Sequence, residues 1–561
     1  MGQSLSSAKL EKTSLFRKTG RRIIVRLDRL SEKKGAAYSI YFASIIFFFG
    51  VILLPSLLGI LLKIDMVREV LSNPEMLEKS VSAIFSSIIM ATIVSAVDVI
   101  SGLPLAWIIV KRRNRWMTLV DSLADLPMII PTVILGYSTL LLWCEDAPFS
   151  IIGFPSLSPG FLTVFLLHFS FSYPVVVRVL VGKLMEIDAT YEIAARTLGA
   201  SSCTATRTIS LPMLKSGIIA SLILSFARSL SETGATLMVA GSFENGPVFI
   251  KRSIDNGLVS PMVFVSLMLI VFSILILLGL RVFGFKLKIP FRKAYRVETF
   301  LSRKPVTYVR DLSTLSIFVL LVLLPASYMV IARLPLMLES GIIGEMFLGS
   351  GVWATYWISV WDSYLIGFLA TLINILFSLP MAIVIARNRL GKSLSKLLDA
   401  LSNTSIIMPS VALGVSIGLF WGASGIPDFL LVLLAHLCIT YPYMVATMVS
   451  ALEDLPVELE EAGRTLGGTP FTVFRTIVLP VAKYSFLSGA ILTFTRSVNE
   501  TGATLAVSKT FKTVSVLLVE WVKSPAMRVE SSIGTLILMF FSIIFLLVFR
   551  YFYSRGGGSV A

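Results

Sequence analysis

The chain has 561 residues, of which 55% are hydrophobic and only 15% charged, with a mean hydropathy of +0.86. A soluble chain carries roughly 25% charged residues, so this composition excludes a water-soluble globular fold and predicts a protein that crosses a membrane many times. The net charge of +16 does not indicate a nucleic-acid partner, because Lys and Arg sit in short blocks between apolar runs, as the positive-inside rule requires of cytoplasmic loops.

In chain order, residues 1–36 form a basic N-terminal segment expected on the cytoplasmic side. Met1, Gly2 and Ser6 fit a myristoylation pattern that is easily met by chance. The basic stretch Arg17 to Lys34 imitates a signal peptide but is too long, so an uncleaved first helix is expected. Apolar stretches of roughly 20 residues, the length that crosses a bilayer, lie near 37–63, 81–110, 117–143, 160–183, 213–240 and 261–283. These six make a first half over 37–283, followed by a basic, proline-containing linker at 284–310. Six more lie near 313–333, 363–386, 399–421, 428–451, 481–507 and 531–553, giving a second half over 311–553 and a flexible tail at 554–561. The expected fold is all-α and polytopic, with about twelve transmembrane helices in a form where every backbone group is satisfied within its own segment.

Charge orients the spans. Basic residues precede the first span and recur at Lys111 to Arg115, Lys286 to Arg310, Arg387 to Lys392, and at Arg550 and Arg555. The opposite loops carry Asp65, Glu69, Glu75, Glu78, Glu145 and Asp146. Both termini are therefore expected inside. Cys144, Cys203 and Cys438 fall outside, in the cytoplasm and within the membrane, which implies no disulfide framework. A single glutamine and two histidines are few, in keeping with a thermophile.

The chain repeats itself. Phe226 to Leu237 (FARSLSETGATL) and Phe494 to Leu505 (FTRSVNETGATL) agree at nine of twelve positions with an offset of 268. Arg196 to Gly199 recurs as Arg464 to Gly467, and His168 and His436 precede Tyr173-Pro174 and Tyr441-Pro442 by the same spacing. Pro131 with Gly136 corresponds to Pro409 with Gly414, and Pro104 to Pro380. Two halves that both begin inside and hold an even number of spans are parallel repeats, related by an axis along the membrane normal, where a pathway would run.

Between the fourth and fifth spans of each half lies a polar segment, Tyr191 to Pro212 and Leu459 to Pro480. Each begins with helix formers and small residues, has a glycine (Gly199, Gly467) suited to a left-handed helix end, and closes on Ile-x-Leu-Pro, where proline can open the next helix. An ordinary amphipathic loop would not recur at equivalent positions. The segment resembles the coupling loop, the EAA motif, of binding-protein-dependent ABC importer permeases, and the resemblance covers essentially the whole chain. It implies that Glu192, Ala194, Ala195 and Gly199, with Glu461, Ala462, Gly463 and Gly467, engage two separate ATP-binding cassette ATPase subunits, and that rocking of the halves gives alternating access. Ile193 stands where the family has glutamate and Glu461 keeps it; Glu192 is a substitute, or the two ATPase contacts are unequal. The Glu-Thr-Gly-Ala-Thr run resembles permeases for oxyanions such as molybdate, tungstate and sulfate, whereas the fused double length resembles ferric-iron and thiamine permeases. Such a permease resides in the prokaryotic plasma membrane, is not itself an enzyme, and receives solute from an extracytoplasmic binding protein.

Four charges fall in the fifth spans: Arg228 with Glu232, and Arg496 with Glu500. At a spacing of four they share a helix face and can neutralise one another. Intramembrane ionisable residues face a bundle interior or a water-filled cavity, so these pairs either line the pathway or its gate, or clamp helices together. Asp98 pairs by position with Asn374, which suits interhelical hydrogen bonding; Asp121 and Asp399 are expected near helix starts, complementing the dipole. His168 and His436, without a ligand cluster, are expected to pack or hydrogen-bond rather than bind metal.

No phosphate-binding loop is present. Gly391-Lys392-Ser393 resembles the end of one, but Ala386 occupies the position that requires glycine. The chain is expected to bind no cofactor itself, with ATP and Mg used by the partner ATPase. A twelve-span secondary transporter is the rival reading; its Gly-x-x-x-Asp-Arg loop signature is missing after span two, where Lys111 to Arg115 stand.

Overall fold

The computed structural model describes residues 28–284 and 296–555, apart from 30, 113, 340 and 342. The expected N-terminal segment up to 27, the linker from 285 to 295 and the tail from 556 therefore lie outside the described residues. The described chain is helical, with no strand. Among the described residues nine helices are long and apolar enough to cross a membrane, or up to twelve if three sharply bent pairs each count as one span.

The bends are where the sequence reading treated spans as straight. Lys392–Ile406 and Ser410–Trp421 meet at 104°, and Arg115–Met128 and Thr132–Ile151 at 96°. Pro131 and Pro409 cause both: the residue before a proline is driven out of the helical region, and Ile130 is extended at ψ 131°. Asp121 and Asp399 consequently lie toward the ends of the short helices Arg115–Ala124 and Lys392–Ser402, not at helix starts. Asp121 instead accepts a 2.7 Å bond from Arg178, which also pairs with Asp125, and Asp399 accepts from Asn403. The fifth spans, expected as continuous over 213–240 and 481–507, also break. Their helices stop at Ser231 and Val498 and resume as Gly234–Val239 and Gly502–Val507.

The first spans are exchanged between the halves. Gly35–Leu61 lies on the second half, where Phe47 stacks on Phe377 at 3.9 Å, Ser44 Oγ donates to the Phe377 carbonyl, and Ser416 Oγ donates to the Pro55 carbonyl at 2.8 Å. Lys304–Pro335 lies on the first half, where Ser138 Oγ donates to the Pro325 carbonyl at 2.6 Å and Phe318 packs beside Tyr173. Ser138 and Ser416 are equivalent positions, so both exchanges use the same contact. The described end of the expected linker is helical, over Arg296–Leu301 and from Lys304 straight into the exchanged span.

Gly59 permits the closest of these approaches: a Cβ there would stand 1.7 Å from the Ser416 carbonyl oxygen. Gly59→Ala is expected to destabilise the chain by about 1–3 kcal/mol through overpacking. Thermal unfolding in detergent would show this, and an unchanged midpoint would mean the first span is not seated on the second half.

Candidate functional site: the broken fifth spans and the coupling segments

Each break releases backbone groups at membrane depth, and specific side chains satisfy them. Glu232 accepts from the Ala235 amide at 3.3 Å and from Thr132 Oγ1 at 3.1 Å; Glu500 accepts from the Ala503 amide at 3.0 Å. The histidines bridge the breaks from the fourth spans. His168 bonds Ser229 at 2.8 Å and Thr236 at 2.9 Å, and His436 bonds Ser497 and Thr504 at the same distances. A neutral imidazole offers one donor and one acceptor nitrogen, so each ring, 1% exposed, is fully used between two hydroxyls. The expected hydrogen-bonding role of the histidines is thus observed. Their partners went unrecognised, although Ser229, Thr236, Ser497 and Thr504 all lie inside the quoted repeat.

The two breaks meet where the halves touch. A Cβ on Gly234 would lie 2.6 Å from Thr501 Cγ2, and one on Gly502 would lie 2.5 Å from Ser410 Oγ and 2.8 Å from Thr233 Oγ1. Ser410 Oγ also donates across to the Ser231 carbonyl at 3.2 Å. Behind them, Gly136 and Gly414 let the third spans press on Ala235 and Ala503, where a Cβ would stand 2.8 and 2.7 Å from the alanine Cα atoms. Small residues at helix contacts allow this close approach.

The charges beside the breaks are not equivalent. Arg496 pairs with Glu500 at 2.6 Å, as the spacing of four predicts. Arg228 and Glu232 do not pair: among the described residues no carboxylate lies within 4.0 Å of the Arg228 guanidinium, which sits 5.4 Å from the Phe171 ring centre. The difference is local: Glu232 Oε1 accepts from Thr132 as well as from the Ala235 amide, whereas Glu500 holds the Ala503 amide with Oε1 and Arg496 with Oε2. Asp98, fully buried, accepts from Ser172 and Ser225 on two other spans, and Asn374 donates to Thr440 at 2.8 Å, the interhelical role expected of both. No group of three or more His, Cys, Asp or Glu side chains placed to hold a metal occurs among the described residues.

The coupling segments form short helices, Ala189–Thr197 and Val457–Thr465. Asp188 caps the first through the Thr190 amide, which holds its carboxyl below the usual carboxylate range. Gly199 (φ 92°) and Gly467 (φ 86°) are left-handed, the conformation that favours glycine. Just before them Leu198 and Leu466 are each 89% exposed, bare apolar tips on polar segments. Ala194, Ala462 and Glu461 are exposed, with Ile193 in the place of Glu461; Ala195 and Gly463 are half-buried. Glu192 is the counterpart of Glu460, not of Glu461. Both are tied to the end of their own second span, Glu192 to Lys111 at 2.6 Å and Glu460 to Arg387 at 2.7 Å. Each segment then passes through a wide turn to Leu211-Pro212 and Leu479-Pro480, the prolines opening the next helix. Two further acids, Asp28 and Glu298, reach these segments and were missed in the sequence.

His168→Phe would strand the Ser229 hydroxyl, while Thr236 keeps its bond to the Glu232 carbonyl, a loss of about 1–3 kcal/mol for the buried group left unsatisfied. A drop in the detergent melting temperature is the expected reading, and no drop would show that the ring does not hold the break.

The two polypeptide halves are related to known proteins. The model of the binding-protein-dependent transport system inner membrane component matches residues 98–289 and again 378–555. The sulfate transport system permease protein of Salmonella typhimurium is 33% identical over 186 residues, 31% of this chain and 62% of that protein. The molybdate/tungstate transport system permease protein of Methanocaldococcus jannaschii is 31% identical over 223 residues, 38% of this chain and 88% of its own length. The molybdenum transport system permease protein of Mycobacterium tuberculosis is 31% identical over 212 residues, 36% and 78% of the two chains. With its domain found twice, this chain belongs to the binding-protein-dependent transport system inner membrane component family, as a double-length ABC-importer permease.

Proposed function

We propose that the chain supplies both permease halves of an ATP-driven importer for a tetrahedral oxyanion of the sulfate, molybdate and tungstate kind. Solute arrives from an extracytoplasmic binding protein and passes between the halves where the Glu-Thr-Gly breaks meet. The coupling-segment face and both termini are cytoplasmic, and two ATPase subunits, which use the ATP and Mg, dock there. The observation that carries the ATPase reading is the pair of bare leucine tips, Leu198 and Leu466, each at the end of a short glycine-terminated helix. An apolar tip on a polar segment marks a contact with another protein, and the bonds to Lys111 and Arg387 pass its movement to the second spans.

For the solute, Arg228 supports an anion. Its guanidinium has no carboxylate within ion-pair distance among the described residues and lies over the Phe171 ring, and a guanidinium presents a fork of donors matched to an oxyanion. Glu232, bonded elsewhere, keeps the site from becoming a deep trap. Arg496, held by Glu500, serves as the structural member of the four.

The test is ATPase activity and uptake in liposomes containing this chain and its ATPase, with binding proteins loaded with molybdate, tungstate, sulfate, ferric iron or thiamine. Stimulation by an oxyanion-loaded protein is expected; stimulation by ferric iron or thiamine alone would replace the substrate assignment. Uptake driven by a proton gradient without the ATPase would overturn the importer reading in favour of a secondary transporter. Arg228→Met is expected to cut oxyanion uptake by about tenfold or more, the scale of one charge-assisted contact, while the ATPase still co-purifies. Arg496→Met strands Glu500 and is expected to cost about 3–5 kcal/mol, so assembly fails. The reverse pattern would exchange the two roles.

A further inference from the structure

Each coupling segment is bonded to its own half through the second span, and it is also bonded to the other half. Glu298, just ahead of the exchanged first span of the second half, is 5% exposed and reaches the first coupling segment. It accepts from Thr204 Oγ1 at 2.7 Å and pairs with Arg207. One turn on, Ser302 Oγ accepts from the Cys203 amide at 3.0 Å. The same set recurs on the other side. Asp28, ahead of the first span of the first half, accepts from Thr472 Oγ1 and Thr469 Oγ1 at 2.7 Å each, and Ser31 Oγ accepts from the Phe471 amide at 3.2 Å. Cys203, Thr204 and Arg207 correspond to Phe471, Thr472 and Arg475 at the repeat offset. The Thr472 and Thr469 hydroxyls, with the charge of Arg475, hold the Asp28 carboxyl below the usual carboxylate range.

We infer that Glu298 and Asp28 are positioning residues that strap each coupling segment to the first span of the opposite half, so that a push on one coupling helix moves both halves together. The inference rests on the coupling reading above. Two observations make the acids the decisive part of the strap. A serine accepting one backbone amide repeats on both sides, which fixes where the strap lands. On the Glu298 side a cavity of about 330 Å3, lined by Trp107, Cys203, Thr206, Leu301 and Arg310 among others, separates strap and segment, so apolar packing there is incomplete. Charge-assisted hydrogen bonds are the strong ones, and the Glu298 bonds to Thr204 and Arg207 are of that kind. A further ion pair, Arg112 with Asp311, ties the end of the first half's second span to the following helix, Lys304–Phe318.

The experiment compares the wild-type chain with Asp28→Asn/Glu298→Gln, near-isosteric changes that leave Ser31 and Ser302 unsubstituted. The expected result is a fall of about tenfold in solute moved per ATP hydrolysed, the scale of a lost charge-assisted bond on each side, with ATPase co-purification and melting temperature unchanged. Exchanging the charges in Arg207→Glu/Glu298→Arg is expected to recover part of the ratio that Glu298→Arg alone loses. An unchanged ratio in the neutral variant overturns the strap. So does a loss of ATPase binding, since the acids would then build the docking surface rather than link it to the other half. Hydrogen exchange measured on the chain without ATPase separates the strap from the coupling reading. Faster exchange of the Cys203 and Phe471 amides in the variant supports the strap even where no ATPase binds, and unaltered exchange overturns it.

Discussion

The whole arrangement depends on two helices that stop inside the membrane-spanning bundle. In hydrocarbon an unsatisfied backbone group costs several kcal/mol, so irregular backbone survives only where protein or a water-lined cavity receives it. At Glu232-Thr233 and Glu500-Thr501 the receivers are the glutamate carboxylates, which take the Ala235 and Ala503 amides, and the Thr236 hydroxyl, which donates to the Glu232 carbonyl, while the His168 and His436 rings hold hydroxyls on either side of each break. The rings come from the fourth spans and Thr132, which bonds Glu232, from the third, so satisfying the break dictates how these spans pack. Gly136 and Gly414 follow from the same demand, because the third span must lie close enough for Thr132 to reach Glu232.

The breaks of the two halves then face one another across a contact of glycine, threonine and serine. A seam of this kind can part without exposing large apolar side chains. The residues beside it are not symmetric. Arg496 pairs with Glu500, while Arg228 lies over the Phe171 ring. The helix before the break is one residue shorter in the second half, ending at Val498 where the first runs on to Ser231, the counterpart of Asn499.

The features visible in the sequence were those carried by local chemistry. Apolar runs marked the spans, the 268-residue offset marked the halves, and Gly199 and Gly467 stand left-handed where a short helix had to end. What was hidden needs tertiary information. The Glu-Thr-Gly run is flanked by apolar residues and reads as continuous helix, so a spacing of four implied a pair for Arg228 that the broken backbone does not make. Repeat offsets say which segments are alike, not which half each one packs on, so the exchange of first spans left no trace. Asp28 with Ser31 and Glu298 with Ser302 escaped because their spacings are three and four, which puts them out of step with the offset.

The exchange of first spans also explains how two permease units can share one polypeptide without a long crossover. The first half ends its last helix at Gly284 and the chain is next described at Arg296, close to the first half's own coupling segment. A stretch of that length reaches at most ~3.3–3.6 Å per residue, and the span that follows lies on the first half, so the connection stays local. The Methanocaldococcus relative has less than half this chain's length: 223 matched residues are 88% of that protein but 38% of this one. A unit that pairs with a second copy of itself must carry the same residue on both sides of the seam. Fusion removes that condition. Ile193 can stand opposite Glu461, and an Arg228 packed over Phe171 opposite an Arg496 paired with Glu500.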